Sequence, residues 1–372
     1  MTGLFTPATM KSVTLANRIV VSPMCQYQAV NGCATAWHTV HLGTLAISGA
    51  GMVIIEATAI EPAGRITPGD LGLYDDATEA ALKGALEALR AVNDTAVFIQ
   101  LGHAGRKASS HLPWEGGEQL ALDNGGWETF APSAIAFKSG TRAPTALDEA
   151  GLKRIRDGFV AAAERAARLG IDGIELHGAH GYLLHEFLSP LSNQRSDQYG
   201  GSLENRMRFP LEIYDAVRAV FPADKPVGMR VSASDWMENG WDLEQTIALA
   251  QELEKRGCDF IDVSSGGLVP EQKITIGPGY QVPFAEGVKA AVSDMAVFSV
   301  GLITEAGQAD AIIAQEKADF IALGRAILYD PRWPWHAAAT LGQTIDAPPS
   351  YWRGLPAEHS RLFANSNAAR GV

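Results

Sequence analysis

The stretch Gly173-Ile174-Glu175-Leu176-His177-Gly178-Ala179-His180-Gly181-Tyr182 begins as one kind of structure and ends as another. Its first four residues alternate and are apolar enough for a buried strand. Two histidines three apart follow, separated only by Gly178 and Ala179, with Tyr182 two residues further on. Small residues between the histidines let the backbone turn tightly and leave both rings free to point into one space. Two imidazoles and a phenol at a strand end are hydrogen-bond donors suited to an oxygen. The spacing alone leaves three readings open: half of a metal site, two satisfied surface histidines, or a catalytic donor group.

Working outward from this strand, short apolar runs alternate with helical stretches. Strands are expected at 18–23, 52–58, 96–101, 173–177, 227–231, 260–264, 296–300 and 320–323. Helices are expected at 38–49, 78–92, 148–169, 203–220, 243–256, 284–292, 304–315 and around 332–341. Asp148 and Asp242 stand where helix N-caps belong, and Gly257 closes the helix that Asp242 opens. Eight strands each followed by a helix point to an α/β fold of the (β/α)₈ TIM-barrel type. A doubly wound open sheet would need a Gly-x-Gly-x-x-Gly after an early strand, and there is none. The barrel is expected over residues 1–345. Residues 103–147, rich in Gly, Pro, Trp and Ser, are too long for an ordinary connection and read as a lid-like insertion after the third strand. Residues 346–372 read as a C-terminal arm that forms a subunit contact.

Composition narrows the function. Of 372 residues 47% are apolar and 19% charged, which suits a globular chain with a sizeable core. No apolar run reaches membrane-spanning length. A net charge of −12 disfavours nucleic acid and anionic membrane surfaces. Cys25, Cys33 and Cys258 are too few and too scattered for a disulfide framework or a four-cysteine metal centre. The N-terminus lacks the features of a secretory signal, so the cytoplasm is the expected compartment.

In a barrel of this kind chemistry sits at the C-terminal strand ends. Those ends carry Ser22 to Tyr27, Glu56-Ala57-Thr58, Gln100 to His103, His177 and His180, Arg230 with Ser232, Ser264 to Gly267, Gly301, and Gly324-Arg325. A catalytic zinc wants three protein ligands. These ends offer two histidines, Cys25, and Glu56 one residue too early to face the centre, so no metal site is expected. Bare amides at Gly301 and Gly324 after the last two strands, beside Arg325, suit a phosphate. Arg230 facing the barrel centre requires an anion, and a reduced flavin provides one; the bland alternative is a salt bridge with Asp235 or Glu175. Gln100 can donate and accept at once, as a flavin's pyrimidine edge demands.

At this point the residues match a known group. The chain resembles the Old Yellow Enzyme family of FMN-dependent ene-reductases, and within it the thermophilic-like, or YqjM-like, bacterial class. The carrying motifs are Ser22-Pro23-Met24-Cys25-Gln26-Tyr27, Ile99-Gln100-Leu101-Gly102-His103-Ala104-Gly105-Arg106, Ala131-Pro132-Ser133-Ala134, the stretch from Glu175 to Tyr182, and FLSPLSNQRSDQYGGSLENR from Phe187 to Arg206. They extend to Tyr351-Trp352-Arg353-Gly354.

The resemblance implies a role for each position. Ser22, Pro23, Met24 and Cys25 would line the FMN, with Cys25 tuning its redox potential. Ala57, Gln100 and Arg230 would hold the ring, and Gly301, Gly324 and Arg325 the phosphate. His177 and His180, on their Gly178-Ala179 turn, would bind the substrate carbonyl; Tyr182 would donate the proton; Tyr27 would line the substrate pocket. Arg353 would reach a neighbouring subunit's site, implying a homodimer or a dimer of dimers. The expected reaction is transfer of hydride from NADPH or NADH through FMN to the C=C bond of an activated alkene, with nitro-compound or xenobiotic reduction as the alternative. Other FMN barrels, such as α-hydroxy-acid oxidases, place a single catalytic base in a different loop. A colourless metal-dependent hydrolase and a non-catalytic flavin sensor are the readings from other classes.

Overall fold

The computed structural model describes residues 2–364. Strands β1 (Ala8–Met10) and β2 (Val13–Leu15) form an antiparallel hairpin. Then come β3 (Ile19–Val21), α1 (Ala36–Ala46), β4 (Met52–Ala59), α2 (Asp76–Arg90) and β5 (Ala96–Gly102). A long segment carries the short parallel pair β6 (Phe130–Ala131) and β7 (Thr145–Ala146). It is followed by α3 (Glu149–Arg168), β8 (Gly173–Gly178), α4 (Leu183–Leu188), α5 (Leu203–Val220), β9 (Val227–Ser232) and α6 (Leu243–Lys255). The rest is β10 (Phe260–Ser264), α7 (Val282–Lys289), β11 (Ala296–Ser299), α8 (Ala306–Ala314), β12 (Phe320–Leu323), α9 (Arg325–Tyr329) and α10 (Trp333–Thr340).

Eight of these strands close into a parallel barrel in the order β3-β4-β5-β8-β9-β10-β11-β12, with β12 pairing back onto β3. Each expected strand is present, with ends moved by a residue or two. Asp148 and Asp242 do cap their helices, accepting from the backbone N–H groups of Gly151 and Gln245. Not foreseen were the β1–β2 hairpin and the short helices α4 and α9.

Side chains alternate in and out along each strand, so the barrel interior is built in layers. The lowest is aromatic. Phe98, Phe260, Phe298 and Phe320 pack in series, with Phe260 and Phe298 stacked at 4.8 Å. Glycine makes the room: a Cβ on Gly173 would lie 2.4 Å from the Phe98 ring, and one on Gly228 2.5 Å from Phe260. Met10 and Leu15 of the hairpin join this cluster and close the barrel floor. Two residues further up the strands the interior turns polar, with Gln100, Glu175, Arg230 and Asp262, all buried. One step higher stand His177, Ser232 and Ser264.

Residues 103–147 hold three 3₁₀ turns besides β6 and β7. Beyond α10, two further 3₁₀ turns lead to Leu362 and Phe363, which pack with Ala338, Ile345 and Leu355. The end of the expected arm, 365–372, lies outside the described residues. Among the described residues no helix is long and apolar enough to cross a membrane.

Candidate active site

At the top of β8 the chain leaves the sheet through His180, whose φ of 60° lies in the left-handed region. The loop after β10 makes this possible. Gly267, itself at φ 90°, has no room for a side chain: a Cβ there would sit 2.6 Å from the His180 Cα. Ser232 ties the two loops together, accepting from the His180 N–H at 2.9 Å and donating to the Gly266 carbonyl at 2.8 Å.

The two imidazole rings meet edge to face at 5.3 Å. Burial, and then the positive field of Arg230, hold both well below the usual histidine range, so both are neutral. A neutral imidazole has one donor and one acceptor nitrogen. The His177 Nδ1 faces the Ala179 N–H at 3.4 Å, which assigns its proton to Nε2. The His180 Nε2 lies 2.7 Å from the Ser264 hydroxyl, leaving Nδ1 as its free nitrogen. His177 therefore offers its Nε2 N–H to this space, and His180 offers an Nδ1 N–H in the tautomer whose Nε2 accepts from Ser264.

Tyr182 packs edge-on against His177 at 4.9 Å and caps α4. Burial raises its phenol well above the usual range and keeps it protonated. The run from Phe187 to Arg206, so particular in sequence, supports this helix rather than lining the site. On α4, His185 accepts from the Gly181 N–H and pairs with Asp235 at 2.9 Å. Ser189 and the Trp241 N–H also bond Asp235. Asn193 donates to the carbonyls of Phe187 and Tyr199, and Arg206 to that of Leu188.

Beneath the histidines lies the buried polar layer. Gln100 donates to Glu175 at 2.7 Å. Arg230 pairs with Asp262 at 3.0 Å, not with the Asp235 or Glu175 considered from sequence. One guanidinium thus serves two buried carboxyls, and burial with their mutual repulsion pushes the Glu175 carboxyl up. Asp262 escaped notice because its partner lies across a strand pair; its place two residues after the inward Phe260 was the available signal.

A cavity of about 370 Å³ opens above this layer. Ser22, Pro23, Met24 and Cys25 line it from the segment after β3, and Ala57 from β4. Gln100 and Arg230 form its depth, and Gly301, Gly324 and Arg325 its far end. Tyr27, His177, His180 and Tyr182 share the same space. Gly178 and Ala179 do not line it: they shape the turn, and a Cβ on Gly178 would lie 2.9 Å from the Arg230 carbonyl. Arg353 is exposed on the arm and stands outside this cavity. Glu56 is buried beside it, accepting from the Gln26 N–H at 2.8 Å. Burial and nearby Asp70 and Glu56 raise the Cys25 thiol, which stays protonated.

These residues fit FMN. The Ser22 hydroxyl is buried without a hydrogen-bond partner, and Arg325 has no ion pair among the described residues. Gly324 is open, a Cβ there meeting only Met24 at 3.8 Å. The donor set is a carboxamide and a guanidinium at one end and glycine backbone with a guanidinium at the other, matched to a polar ring edge and a phosphate. Sequence reasoning overlooked Lys107, which donates to the carbonyls of His180 and Gly267 and sits 5.0 Å from the Tyr182 ring. Among the described residues no group of three or more His, Cys, Asp or Glu is arranged to hold a metal ion.

Residues 3–343 match the model of a family described as NADH:flavin oxidoreductase / NADH oxidase. The chain is 44% identical over 355 residues to an NADPH dehydrogenase of Geobacillus sp. (strain WCH70), covering 95% of this chain and 98% of that protein. It is 44% identical over 355 residues to an NADPH dehydrogenase of Bacillus subtilis (strain 168), covering 94% and 98%. Among solved structures it is similar to morphinone reductase, with a TM-score of 0.77 and 29% identity, covering 98% of this chain and 97% of that one.

Proposed function

Because the chain belongs to the NADH:flavin oxidoreductase / NADH oxidase family, and is thus an FMN-dependent oxidoreductase with a nicotinamide reductant, we propose that it reduces the C=C bond of α,β-unsaturated carbonyl compounds. The observation that carries this reading is the pair of neutral imidazoles lining one cavity beside a protonated phenol. FMN, held in this cavity, would supply the hydride for the substrate β-carbon. His177 and His180 donate to the carbonyl oxygen and stabilise the negative charge that develops there, each such donor contributing roughly 2.7–4 kcal/mol to lowering the barrier. Neutrality matters, because a charged imidazolium next to Arg230 would be costly in this buried site. Tyr182 gives its proton to the α-carbon. Tyr27 shapes the substrate side of the pocket.

In the same reading Ser22, Pro23, Met24, Cys25 and Ala57 line the ring, Gln100 and Arg230 hold its polar edge, and Gly301, Gly324 and Arg325 hold the phosphate. We also assign the working form to a homodimer or a dimer of dimers, in which exposed Arg353 reaches the neighbouring subunit's site. A visible spectrum of the pure protein tests the core of the proposal: flavin colour should bleach anaerobically with NADPH and return with 2-cyclohexenone. Bleaching without return would overturn the assignment of the substrate class. For the assembly, sedimentation should give a dimer or larger, and Arg353→Ala should raise KM for the enone with little change in FMN binding; a monomer at working concentration would refute it.

A further inference from the structure

Tyr182 must regain a proton after each turnover, and the first reading offers no source. The side chains around it supply one. A second cavity of about 10 Å³ is lined by Tyr182, His177, Asp70 and His103. It adjoins the substrate space, sharing Ala57, His177 and Tyr182 with it, and matches the roughly 10–15 Å³ that one water needs. Of its titratable walls, His177 is held neutral by burial. His103 has both ring nitrogens engaged, Nδ1 with the Gly105 N–H at 3.0 Å and Nε2 with Glu61 at 3.1 Å. Asp70 is the member left to change protonation.

Asp70 is 2% exposed and stands in the loop after β4. Its carboxyl accepts from the N–H groups of Ile66 at 2.8 Å and Thr67 at 3.1 Å, and from the Thr67 hydroxyl at 2.6 Å. That hydroxyl in turn accepts from the Gly69 N–H at 3.1 Å. Thr67 also lines a third cavity, about 470 Å³, which lies under residues 103–147 and shares Tyr27 and Lys107 with the site region. A continuous series of exchangeable groups therefore runs from this outer cavity through Thr67 and Asp70 to the small cavity beneath Tyr182.

We propose that Asp70 is the proton store for Tyr182, returning a proton through one water to the phenolate left after the α-carbon is protonated. The inference rests on the reading of Tyr182 as proton donor. In the step, the Asp70 O–H bond breaks, the intervening water passes on a proton, and the Tyr182 O–H bond forms. Asp70 is left as carboxylate. The Thr67 hydroxyl proton then passes to Asp70 as the same oxygen takes a proton from solvent in the outer cavity, in one concerted shift that leaves Thr67 a neutral hydroxyl. No electrons move.

The surroundings set the pH at which the store works. The groups facing Asp70 are Cys25 and Tyr27 from the loop after β3, Glu56 from β4, His103 after β5, His177 from β8 and Tyr182 after it. Burial, with the like charge of Glu56 adding to it, pushes the Asp70 carboxyl up to about 7, and the facing thiol and phenols stay protonated.

The test separates the first turnover from later ones. Holoenzyme reduced by NADPH and mixed with 2-cyclohexenone should reoxidise at a normal rate in Asp70→Asn, because Tyr182 starts protonated. Later turnovers should slow by about 10²-fold, the lower end of what a positioned proton-transfer group contributes. Small acids such as formate should restore them. Thr67→Val should slow later turnovers in the same way, and Thr67→Ser should not. An infrared titration of the wild-type protein should contain a carboxylic-acid C=O band that is lost near pH 7, and Asp70→Asn should lack it. Wild-type rates in every turnover of both Asp70→Asn and Thr67→Val, or persistence of that band in Asp70→Asn, would overturn the relay. If Asp70→Asn does not fold, Thr67→Val and the wild-type titration decide. A Tyr182→Phe variant that reoxidises at the wild-type rate in its first turnover would instead refute the donor reading on which the relay stands.

Discussion

His177 and His180 illustrate how little a side chain's type says without its tautomer. Each ring has one nitrogen committed to the protein, to the Ala179 N–H in one case and the Ser264 hydroxyl in the other; the first leaves His177 an N–H to give, and the second does so for His180 when the hydroxyl donates. Truncating His177 to Ala should retain FMN but slow enone-driven reoxidation by about 10²–10³-fold, the usual cost of losing one oxyanion donor; stopped-flow reoxidation at full rate would refute the role. Ser264→Ala should act more mildly, by removing the hydroxyl that holds the His180 ring at its Nε2. Cys25 is a different case. Its thiol is raised by burial and by neighbouring carboxylates, so it is no thiolate nucleophile. Its proposed influence is on the flavin, and Cys25→Ala should shift the midpoint potential of the bound cofactor; an unchanged potential would remove that role.

Elements, rather than single residues, put the histidines where they are. The turn after β8 works only because the loop after β10 has glycine at its closest approach. Gly267→Ala combines a φ of 90° with a 2.6 Å clash against His180. It should cost about 1–3 kcal/mol of stability, the usual range for a residue forced into such backbone, and displace His180. Thermal denaturation and phenol binding should both report it. This coupling explains what sequence could reveal. Barrel strands are short apolar runs between turn residues, and the two-residue period carries Phe98 to Gln100 and Phe260 to Asp262 on one face. The paired histidines were legible because small residues flank them. The β1–β2 hairpin was not, since three-residue strands of mixed polarity carry no period. Nor was α4: its buried His185 and Glu186 look like a solvated run until Asp235, some fifty positions away (185 to 235), is brought against His185. Arg230's partner was missed for the same reason, because only the closed sheet sets Asp262 beside it.

For the whole molecule, the buried ionisable groups predict how stability follows pH. Glu175 and Glu186 are raised by burial, Glu186 to about 8, and Asp70 to about 7. A carboxyl whose pKa is higher folded than unfolded binds more protons when folded, so stability falls as pH rises through that interval. The buried histidines, depressed from 6.5, have the opposite sign and act only below that value. Urea midpoints should therefore decline from pH 6.5 to pH 8, and Glu186→Gln should flatten the decline. A midpoint rising across that interval would contradict the account. The aromatic floor has a consequence of another sort. With Phe98, Phe260 and their neighbours packed across the barrel and the hairpin pressed beneath them, the described residues leave the reaction chamber no back door. A reductant and an oxidant that both need its inner wall must share one entrance and queue for it. Steady-state plots at several fixed concentrations of one reactant should then run parallel, and an excess of either should act as a competitive brake on the other.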